Sequence, residues 1–182
     1  MIRCFIAVDV DDKHIIEKIK EVQSHLNVEG VKLVEPENIH LTLKFLGNIP
    51  EERVKYIVEE LDTISFKKFS FRIHGVGAFP NVNRPRVVWL GIKEGAEKLI
   101  ELQEIVENCM KRIGFKPEPK KFHPHITLLR VKKFNPVLQR RIRDVCKVEI
   151  GSFNVNCIRL KKSVLTPKGP IYSTLYEKPL EE

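Results

Sequence analysis

Two tripeptides, His40-Leu41-Thr42 in "HLTLKFLG" and His125-Ile126-Thr127 in "HPHITLLR", set an imidazole and a hydroxyl two residues apart at two places in one 182-residue chain. On a strand, side chains at i and i+2 leave the same face. Each His/Thr pair therefore projects one way, while Leu41, Leu43 and Phe45, or Ile126 and Leu128, project toward a core. Two imidazoles across a groove suit a phosphodiester reaction that needs no metal. A neutral ring takes the proton of the attacking hydroxyl and a protonated ring supplies one to the leaving oxygen. Thr42 and Thr127 can donate hydrogen bonds to nonbridging phosphate oxygens, where charge accumulates in the transition state. Lys44 and Arg130 are cationic candidates for the same role. Strict alternation gives Lys44 the face of His40 but puts Arg130 among the leucines, unless a bulge or the strand end returns it. A single His-x-Thr in a strand is more often structural. The second copy, with aliphatics at matching offsets, turns the reading toward catalysis.

Other chemistry-bearing residues are weaker candidates. His123 shares the parity of His125, yet Pro124 between them and the lack of clustered carboxylates argue against a metal site, and no cofactor is expected. His14 and His25 fall on a charged helix, and His74 reads as structural. Phe5, Trp89 and Tyr172 are candidates for stacking on a base, although Trp89, between "VV" and "LG", reads first as core. The cysteines Cys4, Cys109, Cys146 and Cys157 show no Cys-x-x-Cys pair, which disfavours a disulfide framework or a thiolate metal site.

The elements that must position these groups follow from hydrophobic periodicity. "IRCFIAVDV" is strand-like, and "DDKHIIEKIKEVQSHL" opens on acidic capping residues and carries Ile15, Ile19, Val22 and Leu26 at helical spacing. "NIHLTLKFLG" is a strand and "EERVKYIVEELDTI" an amphipathic helix. "FSFRIHGVGAF" and "RPRVVWLGIK" predict a hairpin around "PNVNRP". A long helix over "GAEKLIELQEIVENCMKRIGF" stops at Gly114. The strand "ITLLRV", the helix "NPVLQRRIRDVCK", one long strand segment "VEIGSFNVNCIRLKKSVL", the turn "TPKGP" and the strand "IYSTLYEKP" complete the chain. The order is mixed α/β (α+β), and each half holds one His-x-Thr strand followed by a helix. With no linker or low-complexity stretch, residues 1–182 are expected to form a single bilobal domain whose packed lobes enclose a pseudo-twofold cleft.

Composition narrows the partner. Thirty-two Lys and Arg against 24 Asp and Glu give a formal net charge of +8, which attracts polyanions and makes nucleic acid the leading candidate. The Lys- and Glu-rich balance is thermophile-like. No secretory signal and no run of about 18 apolar residues is present, so a cytoplasmic protein without membrane contact is expected. No Gly-rich phosphate loop ending in Gly-Lys-Ser/Thr is present. "KRIG" at 111–114 superficially resembles a nucleotide-dependent ligase motif but reads as a helix end.

"RCFIAVDV", "HLTLKFLG", "HPHITLLR" and "GPIYSTLYEKPL" together closely resemble the two-histidine phosphoesterases, within them the RNA 2′,3′-cyclic phosphodiesterases historically called 2′-5′ RNA ligases. The resemblance spans nearly the whole chain. It implies two antiparallel sheets flanking a groove with helices outside, and metal-free opening of a ribose 2′,3′-cyclic phosphate to a 2′-phosphate. By the same resemblance His40 is the proton donor, His125 the proton acceptor, and Thr42 and Thr127 phosphate ligands; the reading of the residues adds Arg130 as a phosphate ligand and Lys44, Phe5 and Tyr172 as further substrate contacts. The expected partner is RNA with a cyclic phosphate end, tRNA halves included, and the expected state a monomer; the resemblance also implies reversible ATP-independent 2′-5′ ligation when a 5′-hydroxyl replaces water. Two alternatives stay open: the same chemistry on a small nucleotide cyclic phosphate or a 2′-5′ oligoadenylate, and a non-catalytic RNA-binding module.

Overall fold

The computed structural model describes residues 1–182 and contains nine strands and four α-helices. The first strand, β1 (Ile2–Asp9), is buried on both faces from Cys4 to Val8, as expected of its continuous apolar run. Helix α1 (Lys13–Leu26) begins where the Asp12 carboxylate accepts the Ile15 amide at 3.0 Å, and it buries Ile15, Ile19, Val22 and Leu26 on one stripe. Strand β3 (His40–Ile49) carries the first motif and α2 (Val54–Asp62) follows it. Strands β4 (Phe69–Phe79) and β5 (Val87–Ile92) form the expected hairpin, and α3 (Ala96–Arg112) ends before Gly114, whose φ of +95° favours glycine. Strand β6 (His125–Val131) carries the second motif. Pro136 and the Asn135 side chain, which accepts the Val137 amide, start α4 (Pro136–Asp144).

Two features differ from the sequence-based expectation. A three-residue strand, β2 (Val31–Leu33), adds to the outer border of β6. The expected single segment after α4 is two strands, β7 (Glu149–Val155) and β8 (Cys157–Thr166), parted at Asn156. They belong to different sheets. β8 hairpins into β9 (Gly169–Pro179).

All pairings between strands are antiparallel. One sheet has the order β3-β1-β8-β9, the other β2-β6-β5-β4-β7. One continuous cluster of buried apolar residues runs behind both sheets and under the helices. Phe5 and Ala7 are buried but lie outside it, on the opposite face of β1. That face is the floor of the groove. The motif leucines Leu41, Leu43, Leu128 and Leu129 are at most 3 % exposed, each contributing roughly 1.5–3 kcal/mol by leaving water. This burial is what turns His40 and His125 to the other side.

Candidate active site

Each motif strand is flanked by a strand whose register fixes its height in the groove. Asp9 pairs with His40 and Ala7 with Thr42 across β1 and β3, while Gly91 pairs with His125 and Trp89 with Thr127 across β5 and β6. β3 and β6 also touch each other across the cleft. The two imidazoles are close enough for a charge on His125 to lower the proton affinity of His40.

Both rings are held alike. His40 Nδ1 lies 2.7 Å from the Asn38 carbonyl oxygen, and His125 Nδ1 lies 2.7 Å from the His123 carbonyl oxygen. A carbonyl can only accept, so each Nδ1 carries the hydrogen, and the neutral ring keeps its lone pair on Nε2. His40 Nε2 is 2.9 Å from Thr42 Oγ1, which donates to it when the ring is neutral and accepts from it when protonated. Asn38 also acts through its side-chain amide, which donates to the Pro170 carbonyl at 3.0 Å and folds the β8–β9 turn back toward the first motif.

The surroundings of the rings differ. His40 packs against Phe5 and Tyr172, with centroids at 5.1 and 5.4 Å, and these two aromatics meet edge to face at 5.0 Å. Burial pushes the His40 pKa down, while its bond to Asn38 and the charge of Asp9 push it up, and Lys161 and His125 oppose them. The Asp9 carboxylate accepts from Lys161 Nζ at 2.7 Å and from Arg159 at 3.1 Å, Lys161 also donates to Thr174, and Arg159 bonds Glu177 at 2.9 Å. This network was invisible in the sequence. Its members are scattered over three strands, and only the alternation of "IRLKK" hinted at a common face. His125 packs against Phe79, Trp89 and His123, with centroids at 5.0, 6.1 and 6.0 Å. Burial again lowers its pKa first; the bond to the His123 carbonyl raises it, and the charges of His123 and Arg130 lower it further.

Bulges decide which of the remaining candidates reach the groove. Between β1 and β3 the register slips between Ile6 and Ala7, so Ala7 opposes Thr42 while Ile6 opposes Lys44, and Leu43 is the extra residue. Beyond it the faces exchange. Lys44, expected beside Thr42, is instead 6 % exposed on the core side, where its ammonium donates to Glu107 at 2.8 Å and to the Lys116 carbonyl at 3.0 Å. Phe45, expected in the core, is 63 % exposed and meets Phe5 at 6.3 Å. A matching slip in β6 makes Leu128 the extra residue and returns Arg130 to the side of Thr127. There its charge is felt by both His125 and Tyr172, which belong to different sheets. Trp89, read as core, stands instead beside His123 and His125. The glycine at position 77 lets the indole lie flat on β4, since a Cβ there would collide with its six-membered ring. No three His, Cys, Asp or Glu side chains are grouped to ligate a metal ion.

Two imidazoles on opposed strands, with their bonds to backbone carbonyls repeated in each half, define a two-histidine groove between paired antiparallel sheets. The LigT-like phosphoesterase family model matches twice in succession, at residues 8–89 and 90–172, so the chain belongs to that family and is a phosphoesterase. The chain is 47 % identical over 174 residues to the RNA 2′,3′-cyclic phosphodiesterase of Archaeoglobus fulgidus, covering 95 % of this chain and 97 % of that one. It is 43 % identical to the enzyme of the same name from Aeropyrum pernix, covering 89 % and 93 %. Among solved structures it resembles TT0787 of Thermus thermophilus (TM-score 0.85, 30 % identity, 97 % of each chain). It also resembles E. coli LigT complexed with 3′-AMP (TM-score 0.82, 28 % identity, 100 % of this chain and 99 % of that one). No helix is long and apolar enough to cross a membrane.

Proposed function

We propose that this phosphoesterase opens the 2′,3′-cyclic phosphate at the end of an RNA strand to a 2′-phosphate, with His40 as general acid and His125 as general base. The observation that carries the reading is the pairing of two imidazoles on opposed strands, each anchored through Nδ1 to the backbone carbonyl two residues before it. Burial lowers the pKa of both rings, and the charge of Asp9 offsets part of that lowering at His40. In the reaction His125 Nε2 takes a proton from water as the water oxygen attacks phosphorus. The bond from phosphorus to O3′ breaks, and His40 Nε2 delivers its proton to O3′. Thr42, Thr127 and Arg130 hold the nonbridging oxygens, on which negative charge builds. Phe5 and Tyr172 form the wall beside the terminal ribose and base. No step needs a metal ion or ATP. If a 5′-hydroxyl takes the place of water, the same proton transfers make a 2′-5′ linkage, and their reversal cleaves it. The names of the Archaeoglobus fulgidus and Aeropyrum pernix relatives support RNA as the substrate class.

The test is product analysis on a short RNA ending in a cyclic phosphate, with a chelator present. The expected product is the 2′-phosphate, and His40→Ala and His125→Ala should each lower kcat by about 10² to 10⁴. Full activity in either variant, or loss of activity to the chelator, would overturn the mechanism. Faster turnover of a mononucleotide cyclic phosphate than of the oligonucleotide would transfer the reading to a small nucleotide. Binding without turnover would leave the RNA-binding alternative.

A further inference from the structure

Beside His125 a cavity of about 370 Å³ opens between β5 and the start of α3, lined among others by Trp89, Lys93, Ile100 and His123. Its volume lies in the range of small-molecule sites, roughly 300–1,000 Å³. Two of its wall residues, Trp89 and His123, are the same rings that pack against His125, with centroids at 6.1 and 6.0 Å, so the cavity lies one layer of rings away from the general base. The indole Nε1 of Trp89 is buried and has no hydrogen-bond partner in the protein. That atom is sealed from the cavity, so what Trp89 presents to a ligand there is ring surface, suited to stacking on a base or covering a ribose. Lys93 adds an exposed cation to the lining.

In-line displacement at phosphorus fixes which part of a substrate can lie here. The leaving O3′ and its ribose are on the side of His40, against Phe5 and Tyr172. Whatever carries the attacking oxygen must approach from the side of His125. Water carries nothing behind it, whereas a 5′-hydroxyl brings a nucleoside and, through its O3′, the next phosphate. We infer that the Trp89–His123 cavity is the subsite for the nucleoside bearing the 5′-oxygen: the attacking strand in 2′-5′ ligation and the departing one in 2′-5′ cleavage. This rests on the acid and base assignment above. The indole and imidazole faces take the base or ribose, and Lys93 takes the phosphate that follows. In ligation the bond from O5′ to phosphorus forms and that from phosphorus to O3′ breaks. The O5′ proton goes to His125 and the His40 proton goes to O3′, so nothing is consumed beyond the two RNA ends.

The experiment fills the cavity from the helix side, away from the imidazoles. Ala96→Phe and Ile100→Trp are made separately, with Lys93→Ala as a variant that fills nothing, and heat-unfolding midpoints check that each is folded. Two reactions are compared: hydrolysis of an oligonucleotide cyclic phosphate, which needs only water, and cleavage of a 2′-5′-linked dinucleotide. The filled variants are expected to lose about tenfold or more in kcat/KM for the dinucleotide, while hydrolysis stays within about twofold of the parent. Lys93→Ala is expected to raise KM only when the dinucleotide carries a 3′-phosphate. Dinucleotide cleavage unaffected by either filling, or hydrolysis falling in parallel with it, would overturn the subsite. A parent that hydrolyses cyclic phosphate but does not cleave the dinucleotide would overturn it too. A parent inactive on both would overturn the functional reading beneath it instead.

Discussion

Asp9 sets a carboxylate charge beside one motif imidazole and not beside the other. It stands opposite His40 in the β1–β3 register and has no counterpart beside His125, whose register partner is Gly91. Its charge raises the His40 pKa against the lowering effect of burial. In Asp9→Asn that support is lost, and Lys161 and Arg159, no longer neutralised, push the same way. The expected outcome is a His40 midpoint displaced to lower pH and a His125 midpoint that stays in place, read from the imidazole Cε1 protons by NMR. The sign carries into kinetics: with less His40 protonated at neutral pH, the limb of the kcat/KM profile that depends on the acid moves toward lower pH. A His40 midpoint that stays put or rises would remove Asp9 from this account.

At the level of the strand, one inserted leucine in each motif decides what the groove contains. Leu43 turns Lys44 into the core and Phe45 out of it, and Leu128 turns Arg130 outward, so corresponding positions present an aromatic ring in one lobe and a cation in the other. Lys44 therefore belongs to stability. Lys44→Met strands the carboxylate of Glu107 and is expected to cost about 3–5 kcal/mol in urea unfolding, while adding Glu107→Leu should restore most of it. The kcat/KM of the double variant is expected to match the parent, and a large fall in it with unchanged stability would return Lys44 to the substrate. These bulges also mark where the sequence stops being legible. His40, Thr42, His125 and Thr127 follow from a two-residue period that holds until the extra leucine. Past it, alternation assigns Lys44, Phe45 and Arg130 to the wrong faces. Gln23 holds the second bulge from behind, donating to the carbonyls of Leu128 and Val34 at 2.9 Å, and a lone glutamine on a helix gives no sign of such a contact. Trp89 escaped for a similar reason: an indole among Val and Leu resembles core until Gly77 is seen beneath it.

Over the whole molecule, the excess of 32 basic over 24 acidic residues should matter in proportion to the length of the substrate. Each phosphate neutralised on a single strand contributes a slope of about −0.7 in log affinity against log salt. An oligonucleotide cyclic phosphate is therefore expected to lose kcat/KM steeply as salt rises, and a mononucleotide cyclic phosphate only slightly. Equal slopes would show that the basic surface does not engage the strand. The α/β class and the doubling of the motif were readable from the order of elements, because each apolar period is local. The assignment of strands to sheets was not, because Asn156 sends β8 away from β7 and returns the C-terminal hairpin to the side of β1. The N-terminal half supplies β1 and β3 to one sheet and β2, β4 and nearly all of β5 to the other, and the C-terminal half supplies β8 and β9 to the first and β6 and β7 to the second. The two repeats are thus cross-laced. Neither could close around substrate alone, and a half-length forebear of this enzyme would have needed to embrace its own twin before it could cut anything.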